Sequence, residues 1–334
     1  MTDTPLLLAG DFATPSAADW EVEVLKVLNR RRPEGTELTV EQAMARLRTT
    51  TADGLRIEPL YTESDIPLGH PGVMPFTRGT MTKTSPATGW DVRQLHEDPD
   101  VAYTKAQILA DLERGATSAW LRLGSDAIAP SDLAAVLDEV DPDLAPISVS
   151  SIDDQVAAAK ALADFLTAKG AHHAAGSFGL DALGAAARTG AAADLGPQAE
   201  WVAKALAEFP GVRALTVDAL PYDDAGAGDI DQLAFAIATG VAYLRDLEGA
   251  GISPEKAFGQ FAFRVSANTD QFTTIARLRA LRRLWARVGE VSGVPANARG
   301  AVQHAVTSWR MITRDDPWVN LLRGTIATFA AAVG

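Results

Sequence analysis

The side chains best suited to proton transfer in this chain are an adjacent acid pair, Asp223-Asp224, and five histidines, His70, His96, His172, His173 and His304. Two carboxylates held close can divide general-acid and general-base work when their surroundings push their pKa values apart. The plainer reading of Asp223-Asp224 is a solvated loop ahead of a helix opened by Asp229 and Asp231, acids that favour the positive end of its macrodipole. None of the histidines falls in an H-x-x-x-H or H-x-x-E-H spacing, so no metal site is expected. His172-His173 precedes a strand pattern, where adjacent side chains point to opposite faces and do not chelate together.

Other chemistries lack their parts. There is no cysteine, which removes disulfides, zinc-thiolate sites and thiol nucleophiles and fits a reducing cytoplasm. Ser125 and Ser266 stand in no G-x-S-x-G elbow and have no histidine close in sequence. Gly176-Ser-Phe-Gly179, with Gly184, has the wrong spacing for a dinucleotide fingerprint and reads as glycines of a strand-to-helix turn. Arg277, Arg279, Arg282, Arg283 and Arg287 alternate with Leu278, Leu281, Leu284 and Trp285 on one amphipathic helix. Its basic face reads as solvent-facing or as an interface rather than as a ligand site.

The elements that would position these groups follow a regular order. Short apolar runs at 118–123, 146–150, 174–180, 212–217, 261–265 and 305–312 read as strands. Helical patterns fall between and after them, near 131–139, 153–169, 198–208, 228–249, 269–288 and 317–333. Such alternation specifies a parallel sheet with crossover helices. Ala127-Ile128 reads as a degraded strand, giving seven and no eighth where a closed (β/α)8 barrel needs one more. The expected fold is therefore a TIM-type (β/α)8 barrel lacking its last strand, over residues 91–334. Asp223-Asp224 then follows a strand at its C-terminal end, where barrels place chemistry.

Residues 1–90 read as an extended arm with short helices, wrapping the barrel or a partner subunit. Trp20, Val22, Leu25, Val27 and Leu28 mark one amphipathic helix, capped at Ser16. Thr39 opens a second, with Gln42 completing a capping box. Residues 58–90 are rich in proline and glycine but also hold Leu60, Tyr61, Met74, Phe76 and Trp90, which suits a wrapping segment better than a linker.

The 334 residues are 47% apolar, enough for a large core, and carry a formal charge of −13 with an isoelectric point near 4.8. That balance argues against nucleic acid, which rewards a basic surface. No run of about eighteen apolar residues suggests a membrane span. Leu6-Leu7-Leu8-Ala9 lacks the basic flank of a secretory leader.

Several segments resemble the methylmalonyl-CoA mutase family. Pro59-Leu-Tyr-Thr62 and Pro71-Gly-Val-Met-Pro-Phe-Thr-Arg-Gly79 are similar to its P-L-Y-T … P-G-x-x-P-F-x-R-G. Gly89-Trp-Asp-Val-Arg-Gln94 resembles P-W-x-x-R-Q, and Ile275-Ala-Arg-Leu-Arg-Ala-Leu-Arg-Arg-Leu-Trp-Ala286 resembles I-A-K-L-R-A-A-R-x-L-W-A. Asp316-Pro-Trp-Val-Asn-Leu-Leu-Arg323 resembles D-P-x-x-N-x-x-R. They stand in family order over about four-fifths of the chain. The resemblance implies a (β/α)8 barrel followed by a cobalamin-binding domain, in a complex that interconverts (R)-methylmalonyl-CoA and succinyl-CoA with adenosylcobalamin. In bacterial heterodimers one chain catalyses and its sister does not.

The departures point to the sister. The catalytic chain's R-Q-Y becomes Arg93-Gln94-Leu95, exchanging a hydrogen-bonding phenol for an isobutyl group. Its S-G-Y-H falls on Asp218-Ala219-Leu220-Pro221, so the thioester-binding histidine is replaced by Pro221. Its T-M-Y-x-x-R-P-W falls on Lys83–Trp90, turning tyrosine and arginine into Ser85 and Thr88. The arginine that holds the substrate carboxylate has no counterpart, since no arginine lies between Arg188 and Arg213. The D-x-H-x-x-G signature fails as well: His173 is followed by Gly176, but position 171 is alanine. The resemblance thus implies a small, non-catalytic subunit with degenerate positions Leu95, Pro221, Ser85 and Thr88. No cofactor is expected on this chain, the adenosylcobalamin lying in a catalytic large-subunit partner of a heterodimer. A C-terminal cobalamin-type domain is not expected in this sequence, which reads as the first part of a longer subunit. Two alternatives stay open: an acyl-CoA mutase of altered specificity using Asp223 and His96, or an unrelated barrel enzyme using Asp223 and Asp224.

Overall fold

The structure is a computed structural model that describes residues 15–62, 68–80 and 89–334. The chain divides into two compact units, residues 1–67 and 68–334.

In the first unit α1 (Ala17–Asn29) and α2 (Val40–Leu47) are followed by a short antiparallel pair, β1 (Thr49–Thr50) and β2 (Arg56–Ile57). Both helices start on capping boxes, Ser16 with Asp19 and Thr39 with Gln42, each satisfying two otherwise orphaned donors. Asn29 ties the intervening loop by donating to the Leu38 carbonyl and accepting from the Leu38 amide. Arg48 and Arg56 both pair with Glu58, at 2.7 and 2.9 Å. α1 buries no residue and leaves Val22 and Val27 exposed.

The second unit contains seven parallel strands: β3 (Arg93–His96), β4 (Ser118–Arg122), β5 (Ile147–Ser150), β6 (Gly176–Leu180), β7 (Val212–Asp218), β8 (Phe261–Ala267) and β9 (Val302–Thr307), adjacent in chain order. The connecting helices are α3 (Val101–Glu113), α4 (Leu133–Val136), α5 (Gln155–Lys169), α6 (Ala182–Thr189), α7 (Gly196–Glu208), α8 (Leu220–Asp224), α9 (Asp229–Gly249), α10 (Pro254–Phe258) and α11 (Gln271–Val291), with α12 (Pro317–Val333) after β9. The sheet is strongly curled. Trp120 on β4 and His304 on β9 meet edge to face at 5.1 Å, although five strand steps separate them in the sheet order. A flat sheet would hold them about 24 Å apart. Among the described residues β3 and β9 have no further strand beside them, so this is a TIM-type barrel lacking one strand.

Two of the strands expected from sequence change. Ala127-Ile128 is no strand: Ile128 makes one isolated parallel bridge to Leu123. The seventh strand is instead Arg93–His96, which three polar residues in four conceal from an apolar pattern. The last strand lies at Val302–Thr307 rather than 305–312, because Ser308 turns the chain into a helical turn at Trp309–Met311.

Aspartate recurs as the helix cap. Asp100, Asp154, Asp181, Asp270 and Asp316 each accept a backbone N–H of the helix they open. Outward strand residues build the core against these helices. Trp285 of α11 is fully buried, its ring within 4.4–5.1 Å of Phe258, Phe261 and Phe263. Phe178 does the same against Trp201 and Phe209. α9 passes this cluster at Gly240, where an added Cβ would lie 2.8 Å from the Trp285 ring. Among the described residues no helix is long and apolar enough to cross a membrane.

Candidate functional site

The C-terminal ends of the strands enclose a cavity of about 310 Å³, where a barrel enzyme would hold its substrate. Its floor is packed side chain. The Arg264 guanidinium lies 4.1 Å over the Trp120 ring, an arrangement favoured by the ring quadrupole. Arg264 also donates from Nε to His304 Nδ1 at 3.3 Å and from Nη1 to Asp218 Oδ2 at 3.1 Å. Trp120 donates from Nε1 to Ser150 Oγ at 2.8 Å. Side chains from β4, β5, β7, β8 and β9 thus lock together across the axis. Burial, with Arg264 and Arg93 nearby, holds the His304 pKa well below the ordinary imidazole value. The ring stays neutral, and Nδ1 can accept from Arg264.

The rim is acidic. Glu97, Asp126, Asp181, Asp218 and Asp224 line the cavity against Arg122, Arg188 and Arg264. All three arginines are engaged: Arg122 with Glu97 and Asp126 at 2.6 and 2.7 Å, Arg188 and Arg264 with Asp218 at 3.3 and 3.1 Å. Asp181 is buried, accepting from the Tyr243 hydroxyl at 2.5 Å and from the amides of Gly184 and Asp218. Burial pushes its carboxyl up to about 7. Among the described residues, each arginine lining this mouth is already paired with a carboxylate.

Of the degenerate positions, Leu95 lies in the cavity wall, presenting only methyl groups. Pro221 sits in the first turn of α8 and does not line the cavity; its neighbour Leu220 does. Ser85 and Thr88 lie outside the described residues. Asp223 and Asp224 diverge. Asp223 is buried, accepting from Gln232 Nε2 at 3.1 Å and Ser308 Oγ at 2.7 Å, which ties α8 to α9 and to the turn after β9. Asp224 faces the cavity, and burial raises its pKa. They are not a convergent acid–base pair. His96 points out of the barrel toward Asp111 on α3, 3.6 Å away, so neither proton carrier of the altered-specificity reading reaches the mouth.

The arginine helix departs from expectation in part: Arg283 and Arg287 are exposed, as read, whereas Arg277 and Arg282 turn inward. Arg277 is buried, pairing with Asp229 at 3.0 Å and donating to the Ser266 carbonyl. Arg282 caps carbonyls of Thr77 and Gly334, and burial lowers its pKa to about 10. The glycines are structural, but Gly176 and Gly179 lie inside β6 rather than in the turn expected: a Cβ on either would strike backbone oxygens of β5. Sequence reasoning missed Trp120, Arg264 and Asp181, and named His304 only among the histidines without placing it in the lumen. The available signal was Arg264, the one charge in the middle of a mostly apolar strand.

Among the described residues no histidine lines the C-terminal mouth. His172 and His173 lie in the turn before β6, at the opposite end of the strands, with His172 stacked on Phe209. Among the described residues no group of three or more metal-ligating side chains converges.

Fold and site together define a TIM-type barrel protein whose lumen is spanned by its own side chains. The methylmalonyl-CoA mutase family model matches residues 50–165 and 131–334. The chain is 50% identical, over its whole length, to the methylmalonyl-CoA mutase small subunit of Propionibacterium freudenreichii subsp. shermanii. It is 45% identical over its whole length to that of Streptomyces virginiae. The chain covers 53% and 54% of these relatives, about half their length. The chain belongs to the methylmalonyl-CoA mutase family.

Proposed function

We propose that the chain serves as a small, non-catalytic subunit of an adenosylcobalamin-dependent methylmalonyl-CoA mutase. It supports a catalytic large-subunit sister that interconverts (R)-methylmalonyl-CoA and succinyl-CoA. The observation that carries this reading is the packed contact of Trp120, Arg264 and His304 across the lumen. It occupies the axis where a long thioester would have to pass. The acidic rim supports the same conclusion, because a substrate bearing a carboxylate and phosphates is repelled where carboxylates outnumber arginines. Leu95 supports it too, offering no donor to a thioester carbonyl. Radical rearrangement relies on the cofactor for its chemistry and on the protein for positioning, and Leu95 supplies no hydrogen-bonding group for that task. Adenosylcobalamin accordingly belongs to the sister chain. The cysteine-free composition suits a cytoplasmic heterodimer.

Supplied with adenosylcobalamin and (R)-methylmalonyl-CoA, the purified chain is expected to form no succinyl-CoA. Co-expressed with a catalytic large subunit, it is expected to co-purify at one-to-one stoichiometry. Turnover by the isolated chain, or failure to associate under native conditions, would refute the proposal.

A further inference from the structure

At the C-terminal mouth two arginines converge on one oxygen. Asp218, the last residue of β7, holds Arg188 of α6 at 3.3 Å and Arg264 of β8 at 3.1 Å, both through Oδ2. Its other oxygen, Oδ1, accepts the Leu220 amide at 3.0 Å. The Asp218 side chain is 12% exposed and that of Arg264 only 4%. Arg188 is 30% exposed and lines the cavity, so the pair opens to water on one side.

Among the described residues Asp218 is the one carboxylate that pairs with either arginine. The remaining contacts of Arg264, the Trp120 face and neutral His304, carry no negative charge. Glu97 and Asp126 are committed to Arg122, and Asp181 to the Tyr243 hydroxyl and two amides. Asp224 lines the cavity and feels the charge of Arg188 without pairing with it. Two forked donors facing one carboxylate, beside a cavity of about 310 Å³, have the composition of a recognition site for an organic acid. Here the acid belongs to the chain itself.

We infer that Asp218 is a built-in ligand, occupying an arginine-pair site that would otherwise take a small carboxylate from solution. The contact is autoinhibitory: site and blocker lie on one polypeptide. A carboxylate tethered beside its arginines competes at a high effective concentration, which a dilute diffusing acid does not match. A purely structural ion pair would behave differently, since its loss could not be repaired from solution. The inference rests on the reading of a mouth closed to substrate but concerns the arginine pair alone. Its failure would leave association with a sister chain untouched.

The test is chemical rescue by acetate, read by thermal melting of the 334-residue chain at constant ionic strength, with acetate replacing chloride. Asp218→Ser is expected to lower the midpoint, and acetate to recover most of that loss in a saturable way. The wild type is expected to show no saturable shift. Adding Arg188→Met to Asp218→Ser should weaken the rescue by about tenfold or more, through the loss of charged hydrogen bonds. Should Asp218→Ser not fold, Asp218→Asn keeps the side-chain volume and the acceptor for Leu220, and is expected to bind acetate by calorimetric titration. A further readout needs no variant: modification of Arg188 by phenylglyoxal in the wild type, followed by peptide mass spectrometry, is expected to be insensitive to acetate. Protection of wild-type Arg188 by acetate would show a pair that Asp218 leaves open, and would overturn the inference. So would an equal response from wild type and variant, or no saturable response from a folded variant.

Discussion

At the scale of single residues, the account rests on a buried arginine standing where a barrel enzyme keeps space. Arg264 is 3% exposed and is satisfied on three sides, by Trp120, His304 and Asp218. Arg264→Met keeps much of the volume but leaves Asp218 with Arg188 alone. Stranding a partly buried carboxylate in this way is expected to cost about 3 kcal/mol by urea denaturation; a loss within experimental error would show that the cross-barrel contact is incidental. Asp181 gives a pH dependence. Its carboxyl is raised to about 7 in the fold, well above the ordinary aspartate value near 4. The folded state therefore holds a proton that the unfolded chain has released, and stability from this group is full below about pH 4 and lost as pH rises toward about 7. The decline is at most about 1.4 kcal/mol per pH unit. Denaturation midpoints across that window should show it, and Asp181→Asn should flatten the slope. An unchanged slope in the variant would assign the dependence to another group.

At the scale of elements, the tightest constraint lies where β6 meets β5. Gly179 has φ +71° and faces the Val149 carbonyl with no room for a Cβ. Gly179→Ala is expected to destabilise the chain by at least about 3 kcal/mol, combining strain with a clash against backbone. Gly190 has a similar φ of +73° but open space around it, so Gly190→Ala should cost only about 1 kcal/mol. Equal costs would mean that backbone strain alone matters. The G-S-F-G run was legible as structural because its spacing suits no phosphate loop. Most strands and long helices were legible for a related reason: their outward faces pack on helices and so read as apolar runs. β3 was hidden because Arg93 faces the lumen and pairs with Ser118, while His96 faces α3 and Asp111. Each polar residue is matched by a partner distant in sequence, and a local pattern carries no trace of such partners. The last strand was misplaced because Ala305-Val306 and the later Trp309, Met311 and Ile312 read as one run across Thr307, Ser308 and Arg310. Ser308 marks where it turns, accepting from the Arg310 amide and donating to Asp223. The mouth was half legible: Leu95 was foreseen as lacking a donor, whereas the Trp120–Arg264–His304 lock joins three distant segments and follows from curvature alone.

At the scale of the whole molecule, family membership and barrel are joined to a lumen divided in two, acidic and plugged at the C-terminal mouth, open below. A catalytic sister would instead keep the axis clear from one end to the other. The central claim, that this barrel takes no acyl-CoA substrate, is tested most directly by counting sites. Calorimetric titration of the co-purified pair, in the presence of adenosylcobalamin, with (R)-methylmalonyl-CoA should give one substrate site per pair of chains. Two sites per pair, with the second lost on replacing a residue of this barrel's mouth such as Leu95→Trp, would contradict the account.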